Sequence, residues 1–135
     1  MLFEEYLAAA LSDETATLAL GPVGNKALLH GHCHQKAMSV FAPVQELLKR
    51  IPGLEVETIE TSCCGMAGAF GYQAETVEVS RAMGELDLLP KVRAAAGDTL
   101  VVADGTSCRH QIADGAGRQA LHTAKVLAMA VEAAP

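Results

Sequence analysis

Thr99-Leu100-Val101-Val102-Ala103-Asp104-Gly105-Thr106-Ser107-Cys108-Arg109-His110 is an apolar run that meets a polar, glycine-bearing turn and then a cysteine. Thr99 to Ala103 shows no polar alternation. That pattern predicts a strand covered on both faces, the kind found in parallel sheets. Ser107 is placed to cap the helix that follows, and Gly115-Ala116-Gly117 marks its end.

The same order of strand, cysteine and helix occurs twice more. Lys26 to Gly31 reads as a strand that runs into His30-Gly31-His32-Cys33-His34. Leu54 to Ile59 alternates apolar and polar, as a half-buried strand does, and leads into Glu60-Thr61-Ser62-Cys63-Cys64-Gly65. Helical spacing covers Glu4 to Leu11, Gln35 to Arg50, Glu75 to Leu88 and Thr123 to Ala133. Pro43 predicts a kink or restart in the second of these, and Pro90 can open a short helix through Ala95. In the third, Val79, Met83 and Leu86 share one side. Strands that alternate with helices predict an α/β, three-layer fold with a short parallel sheet between helices. Three strands make a thin sheet, so a further edge strand from Ala16 to Leu20, or a partner surface, is expected to complete it.

The chain of 135 residues has the length of one domain and can bury a core without staples. Its net charge of −6 and lack of a basic stripe argue against nucleic-acid binding, which needs clustered Lys and Arg. No apolar stretch approaches the ~18 residues of a membrane span. The acidic, amphipathic start Met1 to Leu7 is unlike a signal peptide, so a cytoplasmic, reducing setting is expected. There, loop cysteines serve as metal ligands or catalysts more often than as disulfides.

In a parallel sheet, the turns that leave the carboxyl ends of the strands gather at one edge. Cys33, Cys63, Cys64 and Cys108 are therefore expected at one place, as ligands of a metal centre. Thiolates suit iron–sulfur clusters and zinc. Loops that enter helices would lower the thiol pKa values. Gly31, Gly65, Gly68, Gly71 and Gly105 would let backbone approach a bulky inorganic group. His30, His32 and His34 alternate and share a face if the segment is extended, and His110 follows Cys108 closely. His34, His32 or His110 could complete a mixed Cys/His site. The plainer alternative is that the histidines bond loop carbonyls, with His122 solvated or capping and Glu60, Asp104 and Asp114 in similar roles. Gly65 to Gly71 lacks the Gly-Lys-Ser/Thr ending of a phosphate loop. A Cys–His nucleophile, Cys33 with His34 or Cys108 with His110, leaves the vicinal pair Cys63-Cys64 unexplained.

Cys33, Cys63-Cys64-Gly65 and Cys108 together resemble the cysteine-rich CCG domain. That domain occurs in heterodisulfide reductase and in the iron–sulfur subunits of anaerobic glycerol-3-phosphate dehydrogenase and glycolate oxidase. The strings His30 to Ala37, Glu60 to Tyr72 and Ala103 to Gln111 are similar to the C-terminal end of large FAD-linked oxidases of the D-lactate and glycolate dehydrogenase type. The resemblance implies that residues 1–135 are one CCG-type domain, a fragment or relative of a larger flavin and iron–sulfur oxidoreductase. It implies an electron-relay cluster on Cys33, Cys63, Cys64 and Cys108, with FAD and a ferredoxin-like segment on other domains or subunits. Peripheral membrane association would come only through such partners. The isolated chain, with no flavin fingerprint, is expected to show no dehydrogenase activity. One departure stands out: the pattern ends in C-x2-C, and Gln111 occupies the place of the fifth cysteine. Four thiols still suffice for a cubane [4Fe–4S] cluster or a tetrahedral zinc.

Overall fold

The computed structural model describes residues 1–61 and 63–135. Among them the order is α1 (Phe3–Ser12), β1 (Lys26–His30), α2 (Cys33–Ala37), α3 (Ala42–Lys49), β2 (Glu55–Thr58), α4 (Val77–Leu86), α5 (Leu88–Ala94), β3 (Leu100–Ala103), α6 (Thr106–Ala116), β4 (Ala120–Leu121) and α7 (Thr123–Glu132), with a 3-10 turn over Phe70–Tyr72. The four strands are all parallel, in the order β2-β1-β3-β4.

Strand alternation divides the core into two. Ala27 and Leu29 of β1 and Val102 of β3 face Val44, Leu47 and Leu48 of α3 and Val126, Leu127 and Ala130 of α7. Leu28, Val101 and Ala103 face Leu88, Leu89 and Val92 of α5 and Ile112 of α6. The expected three layers follow from this two-residue period. The order also matters for the site. From β1 the chain moves outward to β2, then returns to pair β3 on the other flank of β1. The helices after β1 and β3 thus leave on opposite faces, which opens a crevice at the carboxyl ends of these two strands.

Several local expectations are corrected. Ala16 to Leu20 forms no strand, and the fourth strand is the two-residue β4 on the β3 edge. The earlier segment follows a helix instead: the N–H of Gly21 bonds the carbonyl of Ala130 in α7 at 2.8 Å. β4 is too short to show periodicity. Just before it, the Arg118 guanidinium bonds the carbonyls of Ala95 at 3.2 Å and Thr99 at 2.8 Å. The helical stretch from Gln35 to Arg50 divides into α2 and α3, and the restart expected at Pro43 is found: Pro43 stands in the first turn of α3, where its missing N–H costs no bond. α6 starts at Thr106 with Gly105 at the cap position, so Ser107 lies within the first turn. Gly117, at φ 64°, ends it as anticipated.

α4 turns the opposite way from its apolar pattern. Val79 is 52% and Leu86 75% exposed, while Ser80 and Gly84 are buried. These small residues let the helix come close to the loop of Cys64. A Cβ on Gly84 would stand 3.1 Å from the Gln111 amide and 3.3 Å from the Cys64 carbonyl oxygen.

Candidate metal centre

Cys33 is the first residue of α2, after the His32 cap. Cys63 and Cys64 lie in the loop that follows β2, and Cys108 lies in the first turn of α6. All four are free thiols, and they line one cavity of about 280 Å³. It sits at the β1/β3 crevice, where His30 and Ala103 are register partners. Helices do not follow all three loops directly, because a long segment separates Cys64 from α4.

Polar side chains tie the loops together. The Lys36 ammonium donates to the Thr61 carbonyl, which joins α2 to the Cys63 loop. The Gln35 amide donates to Asp104 Oδ2 at 2.8 Å and joins α2 to the end of β3. Buried Gln111 donates to the Cys64 carbonyl at 2.9 Å and the Ser80 carbonyl at 3.1 Å. The residue at the place of the pattern's fifth cysteine therefore holds the vicinal pair against α4 and α6. Gly105 is needed for close approach, since a Cβ there would meet the His32 ring and stand 2.8 Å from Cys108 Sγ.

The thiols are not equivalent. Cys64 is pushed down to about 4, chiefly because the Cys108 S–H donates to it; His30 and the Met66 N–H add to this against the cost of burial. Cys108, the donor of that bond, is pushed up by it and by burial. Burial raises Cys63, opposed by the Gly65 N–H, which donates to its Sγ at 3.3 Å. For Cys63 and Cys108 the expected lowering by helix N-termini therefore does not occur. Cys64 is the member of the pair whose thiolate is favoured, and the chief cause is a second thiol.

The histidines sort differently from their spacing. β1 ends at His30, so the chain turns before His32 and the alternating face is lost. His30 is 1% exposed, and a ring nitrogen lies within 4.8 Å of the Cys64 and Cys108 sulfurs. Neither ring nitrogen completes a well-formed hydrogen bond among the described residues, although His30 stands near enough to Cys64 to lower its pKa. His32 and His34 line the cavity. His32 is held below its usual pKa by burial and then by His34, and its Nδ1 accepts the His34 N–H at 3.1 Å. A neutral His32 with Nδ1 accepting then carries its proton on Nε2. His110 is exposed, pairs with the Tyr72 hydroxyl at 3.0 Å and does not line the cavity. His122 caps α7, in line with the plainer alternative.

His30, which does not itself line the cavity, is thus the histidine that groups with Cys64 and Cys108, whereas the sequence singles it out only by its alternation with His32 and His34. Its signal is phase: it continues the inward side of Leu28 by one strand period. His30→Leu is expected to raise the melting temperature of the metal-free chain, because unpartnered buried polar atoms cost about 1–3 kcal/mol. Retention of metal should fall in the same variant. Thermal unfolding decides the first half: a lowered melting temperature would mean that the imidazole is satisfied where it stands.

The chain that brings these four thiols and His30 together is similar to stretches of two dehydrogenases. It is 35% identical over 119 residues to a subunit of the anaerobic glycerol-3-phosphate dehydrogenase of Escherichia coli K12. It is 32% identical over 136 residues to D-2-hydroxyglutarate dehydrogenase of the same strain, and 32% identical over 101 residues to that of Pseudomonas putida KT2440. These matches take in 88%, 94% and 73% of this chain, which spans only 30%, 12% and 10% of the respective relatives. No family model and no solved structure matches.

Proposed function

We propose that this domain holds an iron–sulfur cluster on Cys33, Cys63, Cys64 and Cys108 and relays electrons within a FAD-linked dehydrogenase. The substrate class would be a small anionic hydroxy compound, such as a 2-hydroxy acid. The observation that carries this reading is the meeting of four free thiols in one cavity at the sheet's carboxyl edge. The relatives add that similar stretches belong to dehydrogenases named for glycerol-3-phosphate and D-2-hydroxyglutarate. The donor set fits the group: thiols are the usual cluster ligands, and four suffice for a [4Fe–4S] centre.

When bound, the cluster supplies one-electron chemistry. This chain's own residues hold and shield it. At Cys64 the Cys108 S–H favours the thiolate, the form that binds metal. The Gly65 N–H at Cys63 is a donor of the kind that tunes cluster potential. Gln111, Lys36 and Gln35 keep the three loops at fixed separations. FAD and a ferredoxin-like segment belong to other domains or subunits, in a reducing, cytoplasmic setting. The isolated domain would therefore not oxidise substrate by itself.

A second reading is a structural zinc. It is favoured by the close trio His30, Cys64 and Cys108, whose ligand atoms lie within 4.8 Å of one another. Metal and sulfide analysis of protein purified without oxygen separates the two. About four iron and four sulfide per chain are expected, lost in Cys63→Ser. One zinc without sulfide would replace the relay by a structural or docking role. Neither metal would return the cysteines to packing.

A further inference from the structure

A second convergence of donors lies beside α1. Glu4 of α1, Asp104 after β3 and His122 at the cap of α7 bring one ligand atom each within 4.8 Å of one another. They border a cavity of about 320 Å³ that none of the four cysteines lines. Glu4 is only 4% exposed, yet its Oε1 has no hydrogen-bond partner among the described residues.

The neighbouring bonds show why Glu4 is left without one. Asp104 Oδ1 accepts the Thr123 N–H at 2.8 Å, and Oδ2 accepts the Gln35 amide. His122 Nδ1 accepts the Ala124 N–H at 3.0 Å, so it turns a lone pair rather than a proton to its surroundings. That nitrogen stands 3.9 Å from Glu4 Oε1 and 3.6 Å from Asp104 Oδ1. Three acceptor atoms thus meet; backbone N–H groups reach two of them and none reaches Glu4 Oε1, and two belong to largely buried carboxylates. Like charges at this range, away from water, call for a cation.

We propose that Glu4, Asp104 and His122 bind a divalent first-row cation of the manganese(II) or zinc(II) type. Carboxylate oxygens with one imidazole make an O/N donor set suited to such ions. Glu4 Oε1 gives up nothing to bind. His122 exchanges one neutral capping bond for a bond to the metal. The ion joins α1, the end of β3 and the start of α7, three elements far apart in the chain. The site stands whatever occupies the cysteine cavity.

Mn2+ is the probe, because it prefers oxygen and nitrogen donors and competes poorly for thiols. Binding is read from loss of the free aqueous Mn2+ paramagnetic resonance signal. Glu4→Gln removes the charge at nearly constant shape, and His122→Asn keeps a good helix cap while removing the imidazole. The anaerobically purified chain should take up one Mn2+, with affinity weakened at least about tenfold in each variant. Mn2+ should also raise the melting temperature of the unaltered chain and not that of Glu4→Gln. No uptake by the unaltered chain would overturn the site, as would equal affinity or an equal thermal shift in either variant.

Discussion

Cys64→Ala is expected to strip the chain of iron and sulfide, as Cys63→Ser does, and in addition to loosen the fold around α6. Cys64 is 4% exposed, whereas Cys63 is half-buried on the cavity wall. The thiolate form of Cys64 is favoured, chiefly by the Cys108 S–H that donates to it. Removing the acceptor leaves the buried Cys108 S–H without that partner. The measurement is iron and sulfide per chain after anaerobic reconstitution, beside unfolding of the metal-free protein. A Cys64→Ala variant that keeps its full iron would remove Cys64 from the ligand set and with it the proposed arrangement.

Leu29→Ala is expected to lower stability by about 3 kcal/mol, the usual range for a fully buried leucine. Leu29 is 0% exposed on β1, which is flanked by β2 and β3, and it faces α3 and α7. Strand alternation makes the effect asymmetric. Leu29 lies in the core of the face opposite to His30, so the loss should fall on stability, with the cysteine loops keeping their geometry until the chain unfolds. For a domain of this size the melting temperature should drop on the order of 10 °C. Denaturant unfolding with an unchanged slope checks that the native state has stayed intact. A loss under about 1 kcal/mol would mean that the α3/α7 face is not close-packed.

Chain and fold carry two kinds of information. The apolar run Thr99 to Ala103, the half-polar Leu54 to Ile59 and the short run ending at His30 are enough to place β3, β2 and β1. Hydrophobic period reports local geometry, and these strands need no further context. Their alternation with helices is enough for the parallel, three-layer class. That class alone predicts that cysteines after three strands share one edge, and the four thiols do line one cavity there.

What period cannot report is which neighbour a face meets. α4 has Val79 and Leu86 outward, Met83 half-buried and its small residues inward, because Ser80 and Gly84 are what lets the helix approach the Cys64 loop closely. β4 has two residues and no pattern of its own; pairing with β3 defines it. The order β2-β1-β3-β4 puts the cavity between β1 and β3, buries His30 against Cys64 and Cys108, and leaves His110 at the surface with Tyr72. The low pKa of Cys64 likewise comes from a sulfur far away in the chain. By itself the sequence determined the strands, the layers and the edge where the thiols meet. Only the tertiary structure decided which side chains complete the site, because long-range contacts, and not local spacing, set burial and charge there.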